Sequence, residues 1–232
     1  MKVAVMQPYL FPYIGYYQLI SAVDAFVVFD DVNFIKKGWI NRNRILLNGK
    51  DHRFTLPLVK ASQNKLINEI DMVPDQAHKK KLLDLIGHAY KKSPEYKNVF
   101  PAVKEIVLNE ENNLLKYLKF SLARTADFLG IKTRLLLSSA IDKGQSLKGQ
   151  DKIISICKEL KAGEYFNLMG GSGLYDKDIF RKSGITLSFL KTREIRYAQF
   201  KNDFIPNLSI VDVLMFNPLE AVRGFLREFD LV

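Results

Sequence analysis

Polar side chains gather at two points of the N-terminal sequence where apolar, strand-like segments end. The first apolar segment runs into Gln7 and Tyr9, and the second, residues 25–29, runs into Asp30 and Asp31. A helix-patterned segment lies between them, so the order strand, helix, strand predicts a βαβ unit with parallel strands. Ligands of such sheets bind beyond the carboxyl ends of the strands, and a site is therefore expected at this edge.

The two acids are the candidate catalytic residues. Neighbouring residues of an extended chain point to opposite faces, so only one of Asp30 and Asp31 is expected to accept a proton from an attacking amine. The sequence leaves open which one acts, and Asn33 follows as a candidate substrate contact. The single cysteine, Cys157, is expected in the core. With only three scattered histidines, no metal site is predicted and no cofactor is indicated.

A basic and aromatic segment follows the acids. Arg42 and Arg44 alternate with asparagines, Asn41 among them, so in an extended chain the two guanidiniums share one face and can grip a phosphate or carboxylate. Lys36 and Trp39 lie in the same segment and join the candidate substrate contacts. The alternative is a solvated edge strand in which Trp39 serves only as a packing anchor.

A glycine-rich turn later in the chain is a second candidate anion site. Gly170, Gly171 and Ser172 lie between a strand-like segment and a helix, where backbone N–H groups approach anions easily. The alternative is a flexible turn without ligand. If the sheet is doubly wound, this turn ends on the same edge as Gln7, and it is expected to share one phosphate with Arg42.

The remaining pattern predicts an α/β fold with a mainly parallel, Rossmann-like sheet and flanking helices. Asn48-Gly49 indicates a hairpin turn, residues 67–72 suggest a short strand, and Ser209 is the expected cap of a late helix. We expect a single domain over residues 1–232. Within it, residues 75–130 read as helices that either form a small lobe or pack as part of the whole.

The composition limits the partners. The net charge of +10 favours an anionic small molecule, although a solvated lysine face explains the same excess. No nucleic-acid-binding motif is visible, which argues against DNA or RNA. The sequence shows no signal peptide and no apolar run long enough to span a membrane, so a cytoplasmic location is expected. It does not indicate an oligomeric state.

The chain resembles the WbqC-like proteins along essentially its whole length. The likeness rests on these segments: Gln7-Pro8-Tyr9, Phe11-Pro12-Tyr13-Ile14-Gly15-Tyr16, Asp30-Asp31-Val32-Asn33-Phe34, Trp39-Ile40-Asn41-Arg42-Asn43-Arg44-Ile45, Gly170-Gly171-Ser172-Gly173-Leu174-Tyr175, Tyr197-Ala198-Gln199 and Pro206-Asn207-Leu208-Ser209-Ile210-Val211-Asp212. Bacteria often encode such proteins among genes for O-antigen and capsule synthesis. The resemblance adds Tyr197 and Gln199 to the candidate substrate contacts.

A more distant likeness is to nucleotidylyltransferases and adenylate-forming ligases with a His-x-Gly-His motif. Tyr13-Ile14-Gly15-Tyr16 stands in the equivalent place, which implies that Tyr13, Gly15 and Tyr16 lie beside a nucleotide. Both histidines are tyrosine here, and tyrosine carries no positive charge, so the motif is degenerate and lysine or arginine must meet a phosphate.

Together these observations predict a transferase that moves an amino-acid or acyl group onto a nucleotide-linked or phosphorylated amino sugar for surface polysaccharide. The alternative is a non-catalytic protein that binds a nucleotide sugar or scaffolds a polysaccharide-assembly complex. The absence of a nucleophile motif keeps this second hypothesis open.

Overall fold

The computed structural model describes residues 1–144 and 146–232. The strands are β1 (Lys2–Met6), β2 (Ala25–Val28), β3 (Arg42–Leu47), β4 (Lys50–Thr55), β5 (Arg134–Leu137), β6 (Glu164–Leu168), β7 (Thr186–Thr192) and β8 (Phe229–Leu231). The α-helices are α1 (Ile14–Ser21), α2 (Gln76–Tyr90), α3 (Tyr96–Val107), α4 (Leu114–Leu129), α5 (Gly149–Glu159), α6 (Lys177–Lys182), α7 (Ile210–Phe216) and α8 (Leu219–Phe225). Short 3-10 helices cover Ile67–Glu69, Ser138–Ala140 and Met169–Leu174.

The main sheet has the spatial order β5-β2-β1-β6-β7-β8. Every neighbouring pair is parallel except β7 and β8, which are antiparallel. The order runs outward in both directions from β1, as in Rossmann-like folds, so the topological switch point lies between β1 and β6. This confirms the predicted α/β class and its mainly parallel sheet.

The strands bury side chains on both faces, because helices cover each side. In β1, Val3 and Val5 face one cluster, whereas Ala4 faces the other. The smaller cluster lies under α5 and α6 and contains Cys157, which is fully buried as predicted. Burial raises the pKa of the Cys157 thiol to about 12, so the thiol stays protonated and inert at neutral pH.

Helices α2, α3 and α4 lie on the side of the larger cluster. Their buried residues, such as Leu82, Val103 and Leu118, belong to the same contiguous core as Phe26 of β2. Helix α4 starts where the Asn113 side chain accepts a hydrogen bond from a backbone N–H, and it ends at a left-handed glycine. The predicted helical segment therefore packs continuously with one face of the sheet.

Strands β3 and β4 form the predicted hairpin around the Asn48-Gly49 turn. The strand expected at residues 67–72 is wrong, because a 3-10 turn occupies Ile67–Glu69. The Glu69 carboxylate accepts a hydrogen bond from the backbone N–H of Leu66 at 2.8 Å, and Asn68 bonds to Asp30. These side chains satisfy backbone and polar groups locally, which favours a turn over a sheet ladder.

Candidate functional site

Two clefts open at the carboxyl edge of the sheet. The lysine cleft follows β2 and β5, has a volume of about 900 Å³, and includes Asp31, Asn33, Asp142, Lys143, Lys148 and Lys152 in its lining. The aromatic cleft lies between the loop after β1 and the hairpin, has a volume of about 270 Å³, and is lined by Tyr9, Pro12, Tyr13, Trp39, Asn43, Arg44 and Asn207. Both lie where the fold places ligands.

Asp31 organises the lysine cleft. The ammonium groups of Lys143 and Lys152 lie 2.8 and 3.1 Å from the same carboxylate oxygen, Oδ2. Lys152 also donates to the backbone carbonyl of Asp31 at 2.8 Å, and Lys143 donates to the carbonyl of Ser138. All three charged side chains are mostly buried, with 7% of Lys143, 13% of Lys152 and 18% of Asp31 exposed.

The charges in the lysine cleft do not cancel. Burial opposes ionisation of Asp31, but the hydrogen bonds from the two ammonium groups outweigh it and hold the pKa of the carboxyl below its usual value. Asp31 is therefore ionised at neutral pH. The lining carries three lysines against two aspartates, so the cleft has a net positive charge that suits an anion.

Asp30, the other candidate base, lies fully buried beneath this cleft. Its Oδ1 accepts from the backbone N–H of Ser139 at 2.9 Å, and its Oδ2 accepts from the side chain of Asn68 at 3.2 Å. The carboxylate thus joins three loops and holds the Ser138–Ala140 turn in place. This geometry supports a structural role, and a catalytic role for either acid stays a prediction.

The hairpin shapes the aromatic cleft by packing on the loop after β1. Asn43 is buried and donates to the carbonyls of Leu10 and Phe11 at 2.9 and 2.7 Å. Trp39 is 41% exposed, and the guanidinium carbons of Arg42 and Arg44 lie 5.9 and 5.6 Å from its ring centre. These distances allow cation–π contacts that hold the indole against the hairpin.

The two arginines are already engaged by protein groups. Arg42 donates from Nε to the carbonyl of Gly38 at 2.6 Å, and Arg44 pairs with Asp51 at 3.1 Å. Asn41 donates to the carbonyl of Leu56 at 2.7 Å and thereby ties the hairpin to the following segment. Arg42 and Arg44 are two positions apart in β3, so they lie on the same face of the strand, as predicted. Binding of an anion by the two arginines stays a prediction.

The Tyr-x-Gly-Tyr segment builds the wall of the aromatic cleft. Tyr16 is fully buried and donates to the carbonyl of Gln7 at 2.7 Å, so it supports the loop from below. A Cβ atom at Gly15 would lie 2.4 Å from the Tyr13 ring and 2.7 Å from Thr192 Oγ1. Gly15 therefore makes room for the ring of Tyr13, where the distant likeness implied room for a nucleotide.

Tyr197 and Gln199 lie around a buried carboxylate. Their side chains donate to Oδ1 of Asp212 at 2.7 and 2.8 Å, and Tyr90 donates to Oδ2 at 2.7 Å. Burial raises the pKa of Asp212 despite these donors, and the network anchors the start of α7, where Ser209 caps the helix as predicted. Both residues thus have structural partners, and ligand contact by either stays a prediction.

Other candidate residues lie at the same edge without lining either cleft. Gly170, Gly171 and Ser172 form the 3-10 turn after β6, as expected for a doubly wound sheet, and a Cβ at Gly171 would lie 3.2 Å from the Asn167 amide. Gln7 directly follows β1 and lies at the same edge as this turn, because β1 and β6 are parallel neighbours. The exposed Lys36 lies in the loop before the hairpin. Joint binding of one phosphate by the Gly171 turn and Arg42 stays a prediction.

Sequence reasoning missed the residues that charge the larger cleft. Lys143 and Lys152 reach Asp31 from more than a hundred positions away, and neither belongs to a recognisable motif. The available signal was the strand order. Ser138-Ser139 directly follows β5, and β5 pairs in parallel with β2, so the segment after β5 meets the residues after β2. Parallel pairing of those two strands is sufficient to place them at one cleft.

Two further observations concern the part of the chain that the structure describes. Among residues 1–144 and 146–232, no helix is both long and apolar enough to cross a membrane. In the same ranges, no cluster of three or more histidine, cysteine, aspartate or glutamate side chains is arranged to hold a metal ion.

The fold and the two clefts define an α/β protein with a Rossmann-like sheet and ligand-sized openings at its carboxyl edge. The chain belongs to the WbqC-like protein family, whose model matches residues 7–224. It is similar to a Mycobacterium tuberculosis (strain ATCC 25618 / H37Rv) protein named "Uncharacterized protein Rv1507c", with 27% identity over 229 residues that cover 97% of each chain. No solved structure matches the chain.

Proposed function

We propose that the protein is a cytoplasmic transferase that places an acyl or aminoacyl group on a nucleotide-linked or phosphorylated amino sugar. The observation that carries the proposal is the lysine cleft, in which Lys143 and Lys152 share one carboxylate at the carboxyl edge of a Rossmann-like sheet. Its volume of about 900 Å³ suits a nucleotide-linked sugar. Surface polysaccharide synthesis as the setting rests on the family resemblance alone.

The charge balance of the cleft supports an anionic substrate. The two ammonium groups are held by Asp31 at fixed positions, so they meet a phosphate without first losing side-chain freedom. Each ammonium has three N–H donors. Asp31 Oδ2 and the Asp31 carbonyl take two from Lys152 and leave one. Lys143 already faces Asp31 Oδ2 and the carbonyls of Ser138 and Ile141, so it attracts a phosphate through its charge. The donor that remains on Lys152 is charged, which makes its hydrogen bond to phosphate strong.

The transfer step has a simple balance. The amine nitrogen of the sugar attacks the acyl carbon of an activated donor such as an acyl thioester, so a C–N bond forms and the C–S bond breaks. The proton lost by the amine ends on the departing thiolate, which leaves as a thiol. In this proposal Asp31 positions the two lysines, and its lowered pKa makes it a weak base for the amine proton.

The same feature favours a second candidate function, a protein that binds a nucleotide sugar without converting it. Asp31 is a weak base, and Asp30 is fully buried with both carboxylate oxygens occupied. A cleft with strong anion donors and no strong base binds well and catalyses proton transfer poorly. The two candidate functions share the nucleotide sugar as ligand and differ in whether the protein converts it.

Product formation tests the proposal. The protein is incubated with UDP-glucosamine and acetyl-CoA, or with an aminoacyl thioester, and an N-acylated nucleotide sugar is sought by mass spectrometry. We expect product from the wild type, at least a tenfold lower rate in Lys143→Gln and in Lys152→Gln, and an unchanged rate in Lys80→Gln, an exposed lysine of α2. Binding of UDP-glucosamine without product from any donor supports the second candidate. No binding at all refutes both.

A further inference from the structure

The aromatic cleft differs from the lysine cleft in size and charge. Its volume of about 270 Å³ lies below the roughly 300–1,000 Å³ of sites for drug-sized ligands, so it holds one ring and not a whole nucleotide sugar. The charged side chain in its lining is Arg44, whose charge is balanced by Asp51 at 3.1 Å. A neutral, polar ring therefore fits this cleft better than a phosphate.

Two tyrosine hydroxyls supply the polar contacts. Burial raises the pKa values of Tyr9 and Tyr13, so both hydroxyls stay protonated and able to donate. Both tyrosines line the same small cleft. A protonated hydroxyl can donate one hydrogen bond and accept others. Two such hydroxyls in one cleft suit the hydroxyls of a sugar.

The other walls supply apolar surface. Trp39 lines the cleft and is 41% exposed, so part of its indole ring is available to a ligand. The ring of Tyr9 is fixed by packing on Tyr16, with 5.5 Å between ring centres. Pro12 completes the lining. Rigid aromatic and proline surfaces offer contact to the C–H face of a pyranose at a low entropic cost.

We infer that the aromatic cleft is a carbohydrate-binding site that holds a single uncharged pyranose ring between Trp39 and the hydroxyls of Tyr9 and Tyr13. The inference deepens the proposed function. That the bound ring belongs to a substrate of the reaction in the lysine cleft rests on that proposed function. Recognition of the ring itself depends only on the aromatic cleft.

Trp39 reports directly on this site, because it is the single tryptophan of the chain. Its emission is followed while N-acetylglucosamine, glucose or galactose is added up to high millimolar concentration, with uridine and adenosine added in parallel. We expect a saturable change with at least one sugar. Tyr13→Phe and Tyr9→Phe, which keep the rings and remove one hydroxyl, should each weaken that binding about threefold to tenfold.

Matched variants distinguish the two clefts. Tyr96→Phe, in α3, should leave the sugar affinity unchanged, as should Lys143→Gln in the lysine cleft. Absence of a saturable sugar response, a response confined to the nucleosides, or equal affinities in the wild type and Tyr13→Phe overturns the inference. Loss of sugar binding alone leaves the proposed function standing if UDP-glucosamine still binds through Lys143. Sugar binding that persists while UDP-glucosamine never binds refutes the proposed function and supports the carbohydrate site.

Discussion

Replacing Asp31 with asparagine removes the negative charge that Lys143 and Lys152 share while keeping the shape of the side chain. Breaking a buried ion pair costs about 3–5 kcal/mol, and breaking an exposed pair costs about 0–1 kcal/mol. The three side chains are 7–18% exposed, which places this cluster nearer the buried limit. We expect the Asp31→Asn variant to lose about 2–3 kcal/mol of unfolding free energy, or about 5–10 °C in Tm for a chain of this length.

The lowered pKa of Asp31 also predicts how the effect of Asp31→Asn on unfolding free energy changes with pH. The folded-state pKa of Asp31 is lowered, so its ionised form contributes stability that is fully present above the unfolded pKa of about 4. That contribution is lost as the pH falls through the still lower folded pKa. The difference in unfolding free energy between wild type and Asp31→Asn should therefore be constant near neutral pH and shrink towards zero in acid.

Chemical denaturation monitored by circular dichroism at a series of pH values measures this difference. Asp142→Asn is the matched control, because Asp142 is an exposed aspartate in the lining of the same cleft. It should change stability by less than about 0.5 kcal/mol at every pH. A neutral-pH effect of Asp31→Asn as small as that of the control, or an effect that grows in acid, would refute the ion-pair reasoning.

Three further predictions follow from the described contacts. Tyr197→Phe should lower the free energy of unfolding by about 1.5–3 kcal/mol, because it removes a hydrogen-bond donor from the buried Asp212 carboxylate. The pKa of Asp212 is raised by burial, so this loss should be smaller in acid, where the carboxyl is protonated. Chemical denaturation at two pH values measures the difference. Gly130→Ala should cost about 1 kcal/mol, because this residue has φ 78° at the end of α4, whereas Gly163→Ala, with open space around the new Cβ, should be close to neutral in the same assay. Gly15→Ala should displace the Tyr13 ring and cost about 1–3 kcal/mol, and it should also weaken sugar binding as monitored by Trp39 emission; unchanged sugar affinity would contradict the packing described for the aromatic cleft.

Local patterns predicted the parts of the fold that depend on neighbouring residues. The apolar runs of β1 and β2, the Asn48-Gly49 hairpin and the Ser209 cap each follow from residues within a few positions of one another. The antiparallel strand β8 was not predicted, because it has only three residues and exists through pairing with β7. The turn at Ile67–Glu69 was mistaken for a strand, since its apolar residue Ile67 is buried by packing against helix α4 and the larger core cluster.

The candidate site was predictable in its location and less so in its composition. Parallel strands fix which residues reach the carboxyl edge, and this placed Tyr9 and Asp31 beside clefts. Whether a polar side chain faces a cleft or a protein partner depends on long-range hydrogen bonds. Asp30 and Gln199 are buried with protein partners for this reason, while Lys152 reaches the cleft from a helix far along the chain.

Calorimetric titration with UDP-glucosamine tests the central claim most directly, because it asks whether the lysine cleft binds the phosphates of a nucleotide-linked amino sugar. The wild type should release heat with one site per chain, and the affinity should fall as salt is added, since surface-accessible charge contacts are screened. The Lys143→Gln/Lys152→Gln double variant should bind at least about a hundredfold more weakly, while Lys80→Gln binds like the wild type. Equal affinity in the double variant and the wild type, or no binding by a folded wild-type protein, would contradict the account.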